Sequence, residues 1–310
     1  MEDSIRMILV STTGRESSNV SQYLSFNGHH EQPVEPMNLT NRIVLVSGAS
    51  SGIGAATARA FGREGAHVVL LARTETKLAG VAEEITDDGG MAAPYPVDLT
   101  DPDAVTEVAA AIRNDIGHPT VIVNIAGAGE FLAIEETTPA DARRMMAVPY
   151  FAAFNVTRTF VPDLLTRNEG HIVNLTSAAA VTPWPGSVAY ATARWAMRGF
   201  TEALRADLHD TDIEVTLVVA AEVESPYWEH NPGSRERLPT ISKLFPTLTP
   251  EDVADAIVES VIKCQRTVLI PRRFRTIAAV HRLLPLPIEW LVRKTGRRRT
   301  RNRPRLKDLR

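Results

Sequence analysis

Tyr190 and Arg194 stand one helical turn apart, so both can face one point in space. Ser177 lies thirteen residues before the tyrosine, at the end of an apolar run. A phenol with an ordinary pKa near 10 is a poor base at neutral pH. A fixed cation beside it favours the phenolate and eases proton transfer. A serine hydroxyl can meanwhile hold a carbonyl oxygen while the phenol gives or takes the proton. Alone, Tyr-x₃-Arg is a weak motif, and an ordinary helix with a buried tyrosine and a solvated arginine is the better reading of it. A second set accompanies it. Gly48, Gly52 and Gly54 sit in the run Ser47–Gly54, SGASSGIG, between an apolar run and a helical stretch. Glycines permit a tight turn there, and the free N–H groups of the turn and helix start suit a phosphate. Ser50, Ser51 and Ile53 complete that turn. The chemistry implied is dinucleotide binding, although a glycine-rich strand-to-helix turn can also be no more than that.

These residues need a frame, and the hydrophobic pattern supplies one. Short apolar runs fall at 43–47, 67–72, 92–97, 120–126, 171–177, 213–219 and 267–270. Unbroken apolar strands of this kind fit a parallel sheet covered on both faces. Helical stretches alternate with them at 53–64, 75–87, 101–116, 139–167, 188–209 and 250–264. The alternation predicts an α/β fold: a doubly wound, Rossmann-type, seven-stranded parallel sheet in a single domain plus tails. The second strand ends at Ala72, with Arg73 next and no acid. An acid there would bind a ribose 2′-hydroxyl; an arginine suits a 2′-phosphate, so NADP(H) is expected over NAD(H). Asp98 and Leu99 close the third strand, where the adenine would lie.

We divide the 310 residues into a disordered extension at 1–38, a nucleotide-binding catalytic domain at 39–272, a helical segment at 273–292 and a basic tail at 293–310. Met37, just ahead of the first strand, is a second candidate translation start. Residues 222–247, with four prolines and mixed aromatic and charged residues, form an irregular insertion after the sixth strand. That is the ligand-binding edge of such sheets, so the insertion is expected to be a substrate lid. Tyr227, Trp228, Leu244 and Phe245 within it, with Trp184, favour a bulky apolar substrate. The formal charge of −3 divides into +9 for residues 293–310 and −12 for the rest. Ile277, Val280, Leu283 and Leu284 are spaced for one helical face, and Trp290 follows. Packing of this helix on the body is the first expectation, and peripheral contact with an anionic membrane is the second. Nucleic acid is disfavoured because no aromatic residue interleaves the arginines. The single cysteine, Cys264, excludes an intrachain disulfide and suits a reducing, cytoplasmic setting. His29 and His30 lack further ligands, so no metal is expected. No apolar run reaches membrane-spanning length.

Over about residues 38–272 the chain resembles the short-chain dehydrogenase/reductase family. The resemblance rests on the glycine motif at Ser47–Gly54, on Asn124, Ala126 and Gly127 as the family's N-A-G, on the Asp98–Leu99 pair and on Ser177 with Tyr190. It implies carbonyl–alcohol interconversion, with Ser177, Tyr190 and Arg194 catalytic. The cofactor would be held by Gly48, Ser50, Ser51, Gly52, Ile53, Gly54, Arg73, Asp98, Leu99, Asn124, Ala126 and Gly127, with Tyr190 and Arg194. It also implies a dimer or tetramer through the helices at 139–167 and around Tyr190. Three positions depart from the family pattern. Its active-site lysine is Arg194, its helix asparagine is Pro149, and its Pro-Gly after the sixth strand is Ala220-Ala221. Arginine keeps the charge but is bulkier and does not pass on a proton. The alternative function is therefore a catalytically impaired NADP(H)-binding sensor or scaffold.

Overall fold

A computed structural model of the chain describes residues 36–298. Seven strands form one parallel sheet: β1 (Ile43–Ser47), β2 (His67–Ala72), β3 (Met91–Pro96), β4 (Val121–Asn124), β5 (Gly170–Ser177), β6 (Ile213–Ala220) and β7 (Thr267–Ile270). Their spatial order is β3-β2-β1-β4-β5-β6-β7. The direction of winding reverses between β1 and β4. Val46 pairs with Leu70 on one side and Val123 on the other, which places the ends of β1, β2 and β4 along one rim. Open sheets of this kind bind ligands at such a switch point, beyond the strand carboxyl ends.

The helices are α1 (Gly52–Arg63), α2 (Glu75–Asp87), α3 (Pro102–Asp115), α4 (Pro139–Met146), α5 (Ala152–Arg167), α6 (Val188–Asp207), α7 (Tyr227–His230), α8 (Pro250–Ile262), α9 (Arg272–Leu283) and α10 (Pro285–Thr295). The sheet's two faces make two cores, and alternate strand residues serve each. Val44 and Val46 join Phe61, Leu78 and Val253 on one side. Leu45 joins Val105, Phe160 and Ile172 on the other. This double coverage is why the strands read as continuous apolar runs rather than alternating ones.

Two stretches differ from the sequence expectation. The single helix expected at 139–167 is three pieces, because α4 and α5 are separated by a π-helical turn at Ala147–Phe151. Pro149 lies in that turn, buried. It has no N–H and its ring crowds the preceding turn, so the helix widens there. The segment after β7 is two helices, α9 and α10, joined at Leu284 alone. Their inner residues do not form the one face expected. Phe274 and Val292 are buried, whereas Val280, Leu283 and Leu284 are exposed. Arg293 and Lys294, placed with the tail in sequence, belong to α10. The extension at 1–35, with His29 and His30, and the tail at 299–310 lie outside the described residues. Among the described residues no helix is long and apolar enough to cross a membrane.

Candidate active site

At the end of β1 the chain must turn sharply to start α1. Gly48 and Gly52 take left-handed backbone angles, φ +73° and +52°. Gly54 is required for a different reason: a Cβ there would lie 2.0 Å from the carbonyl oxygen of Gly48. Ser51 caps α1 without a side-chain hydrogen bond. The first N–H groups of the helix are thus not consumed by that side chain and present a partial positive charge. Ser47 reaches across instead, its Oγ accepting from the N–H of Ile125 at 3.0 Å and of Ala126 at 3.2 Å. That pins the turn after β4 beside the glycine turn.

The turns at the strand ends open into one cavity of about 880 Å³. Gly48, Ser50, Ser51, Gly52, Ile53 and Gly54 line one end, with Arg73, Asp98, Leu99, Ala126 and Gly127. Ser177, Tyr190 and Arg194 line its middle. Every sequence-derived site residue except Asn124 is on this wall. Asn124 is buried beneath it. Its amide donates to Thr157 Oγ1 at 3.1 Å and to Asn174 Oδ1 at 2.9 Å. Its side chain therefore joins β4, α5 and β5 under the site.

Arg73 and Thr74 are exposed at the rim, and Lys77 of α2 joins them. Lys77 was not singled out in the sequence, although its spacing of four from Arg73 was the available signal. Asp98 accepts through one oxygen from the N–H and hydroxyl of Thr100, at 2.9 and 2.8 Å. Those bonds, and the nearby Arg73 charge, hold its carboxyl below the usual range.

Tyr190 and Arg194 project from the first turns of α6 and are 7% and 8% exposed. Thr176 ties the helix to β5, its hydroxyl donating to the Arg194 carbonyl at 2.9 Å. The Arg194 guanidinium lies 4.8 Å from the centre of the Tyr190 ring, a cation–π contact. Two glycines make the space for this pair. A Cβ at Gly127 would come 2.9 Å from Arg194 Nη2, and one at Gly129 would come 2.9 Å from Tyr190 Cδ2. Arg194 Nε is buried and has no hydrogen-bond partner among the described residues. Ser177 Oγ accepts from the N–H of Ala179 at 3.3 Å, a long bond that leaves its own proton for another oxygen.

Beyond the tyrosine the cavity is aromatic. Phe131 meets Tyr190 edge-on at 4.7 Å and Trp184 at 5.2 Å. Tyr227 and Trp228 of α7 extend the cluster. The Tyr227 hydroxyl donates to the Gly129 carbonyl, and Trp228 Nε1 donates to the Val223 carbonyl at 2.8 Å. Burial, with Tyr190 next, pushes the Tyr227 phenol well above its ordinary value, so it stays protonated. Phe245 packs on Phe274 at 5.9 Å, and Ile277, Ile288 and Val292 roof the far end. Leu244 does not belong to this wall, since it is 69% exposed. Phe131, Phe274 and Val292 were missed in the sequence. They lie in irregular or late segments whose pattern does not announce that they fold back over the sheet.

A family profile described as short chain dehydrogenase matches residues 42–234. The chain belongs to the short chain dehydrogenase family. The match ends before α8, β7 and the two last helices. A fatty acyl-CoA reductase of Acinetobacter baylyi is 32% identical over 229 residues, covering 73% of this chain and 75% of that protein. A metagenomic short-chain oxidoreductase solved with NADP is 31% identical, with a TM-score of 0.63, over 76% of this chain and 98% of its own. A family member from Burkholderia phymatum solved with NAD shares the fold, with a TM-score of 0.72 at 23% identity, over 81% and 96%. This short chain dehydrogenase is thus a nucleotide-binding oxidoreductase with the expected Rossmann-type sheet.

Proposed function

We propose that the enzyme interconverts a carbonyl and an alcohol on a bulky apolar substrate, with NADP(H) as cofactor. The observation that carries this reading is a single cavity. It joins the glycine turn, the Arg73–Lys77 rim, the Ser177–Tyr190–Arg194 set and an aromatic far wall. The residues present fit a dinucleotide. The glycine turn leaves backbone close to the cavity, and the buried Arg194 Nε has an unused proton suited to a ribose hydroxyl. When bound, the nicotinamide supplies or accepts the hydride.

The protein's own part is proton handling and positioning. Ser177 donates a hydrogen bond to the substrate oxygen and orients it. Tyr190 gives that oxygen its proton in reduction and takes it back in oxidation. Arg194 stabilises the phenolate left behind through its charge. Phe131, Trp184 and Trp228 exclude water and hold the apolar part of the substrate. The Acinetobacter relative is a fatty acyl-CoA reductase, which accords with an acyl chain as substrate here. Exposed Phe151, Phe154 and Trp195 on the helices around Tyr150 and Phe200 offer the subunit contact implied by the family.

The 2′-phosphate reading is tested by titrating NADPH and NADH against nicotinamide fluorescence. NADPH is expected to bind more tightly, and Arg73→Asp is expected to reverse the order. Equal affinities in both proteins would sink the assignment. A panel of long-chain and aromatic carbonyls, followed at the nicotinamide absorbance, tests turnover. The second reading, an impaired sensor, is favoured by Arg194 and Pro149 in the positions of the family's lysine and asparagine. It takes the lead if NADPH binds and no carbonyl is reduced.

A further inference from the structure

α9 and α10 have two different sides. One side roofs the cavity through Phe274, Ile277, Ile288 and Val292. The other carries large apolar side chains in water. Leu283 is 80% exposed, Leu286 72% and Trp290 55%, with Leu284 and Val280 beside them. They gather at the junction of the two helices. Scattered exposed apolar residues need no explanation, but a contiguous group of this size marks an interaction site. The adjoining turn at 240–244, which rests on α10, adds exposed Leu244 and Lys243.

The charges around the group decide what it fits. Between residues 272 and 298 there are eight exposed cations: Arg272, Arg273, Arg275, Arg282, Arg293, Lys294, Arg297 and Arg298. The one acid, Glu289, is half-buried, with His281 Nε2 3.8 Å from its carboxylate. Lys294 folds its ammonium over the Trp290 ring at 4.6 Å. An apolar tip with an aromatic at its edge and cations behind it matches a bilayer interface. The aliphatic chains enter the acyl region, the indole stays at the headgroups and the cations meet anionic lipid. Arg282 stands beside the tip, the other cations stand behind it toward the far ends of the two helices, and Arg298 is also paired with Glu135 at 2.9 Å.

We propose that the α9–α10 pair docks this enzyme on an anionic membrane surface, tip inward, so that the cavity roof faces the lipid. An apolar substrate dissolved in the bilayer then reaches the cavity without crossing water. This entry role rests on the apolar-substrate reading above, whereas the docking itself does not.

The test is co-sedimentation of the full-length protein with phosphatidylcholine vesicles, with and without phosphatidylglycerol, at low and high salt. Binding is expected only with phosphatidylglycerol, weakened by salt. Leu283→Ser with Leu286→Ser and Trp290→Ser is expected to lower the partition coefficient at least about tenfold, at about 1.4 kcal/mol for each factor of ten. Far-UV circular dichroism and NADPH affinity should stay unchanged, because all three side chains are exposed. Arg293→Gln with Lys294→Gln should weaken binding without changing either readout. Failure of the full-length protein to bind anionic vesicles at low salt overturns the proposal. So does equal binding by the triple variant, or binding lost only on truncation after Arg298, which would assign it to the tail. Loss of a dimer in the triple variant, with no vesicle binding by the parent, overturns it in favour of a second copy of the chain. NADPH binding and reduction of a water-soluble carbonyl are read separately, so failure of docking leaves the proposed reaction standing.

Discussion

Under the proposed function, activity turns on Arg194. Its guanidinium lies against the ring of Tyr190 rather than reaching past it, and Gly127 provides the space. Tyr190→Phe should abolish carbonyl reduction while leaving NADPH affinity nearly unchanged, because it removes the proposed acid and keeps the ring. Full activity in that variant would place the chemistry elsewhere. Arg194→Lys should preserve or raise kcat, and Pro149→Asn should add to the gain. Together they would raise the rate about ten- to hundredfold, a barrier lower by about 1.4–2.7 kcal/mol. His171 supplies a residue-scale prediction away from the site. It is fully buried, and its Nε2 is 2.7 Å from Thr216 Oγ1. That hydroxyl spends its proton on the Gln265 carbonyl at 2.6 Å, so the imidazole must be the donor through Nε2. Nδ1 then has no partner among the described residues. Burial lowers the folded-state pKa to about 4, against 6.5 for the free group. Between those values the unfolded chain binds more protons, so stability falls as pH falls through that window. The loss should reach about 3 kcal/mol at pH 4, at about 1.4 kcal/mol per unit. Urea unfolding at pH 7 and pH 5 should show part of this slope, and His171→Gln should remove it.

Elements decide how the reactive residues meet. The β1–α1 turn works only because Gly54 packs directly on the Gly48 carbonyl. Gly54→Ala must push backbone against backbone. It should cost about 2 kcal/mol or more and abolish NADPH binding, read by thermal unfolding and fluorescence titration. Unchanged cofactor affinity would show that the turn does not hold phosphate. Pro149 acts at this scale too. It opens the π-helical turn between α4 and α5, behind the cavity wall that Ala147 and Val148 supply. A proline inside a helix ordinarily kinks it; here the outcome is a local widening that keeps α5 packed against the sheet.

The whole molecule is closed by contacts far apart in sequence. Among the described residues Arg237 is the largest fully buried side chain, 1% exposed. It forks onto both oxygens of Glu136, at 2.6 and 3.0 Å, and also donates to the Arg298 carbonyl at 2.9 Å. Arg298 in turn reaches Glu135 at 2.9 Å. The insertion after β6, the segment after β4 and the C-terminal end therefore meet at one buried charge. Arg237→Ala should lower stability by about 3–5 kcal/mol, because it removes the fully buried partner of an ion pair and empties its site. Arg237→Met with Glu136→Gln should recover much of that loss, measured by urea unfolding. If the single variant were as stable as the parent, the three segments would not depend on this ion pair.

The sequence by itself determined the sheet and its winding, and it named residues that the structure places along one cavity. Strand periodicity is a local pattern that a covered parallel sheet imposes on consecutive residues, and the glycine and Tyr190–Arg194 spacings are set within one turn and one helix. Ser47–Gly54 and Arg73 were legible for the same reason: a strand end and a helix start fix them within a few residues. Only the tertiary structure showed that Asn124 turns away from the cavity, that Leu244 faces water, and that Phe131, Phe274 and Val292 join the aromatic wall. It also divided the last helices into a side on the cavity and a side in solvent. Those outcomes depend on which distant surfaces the late segments bury. Hydrophobic burial rewards area without specifying the partner, so the choice is made by packing and not by local pattern.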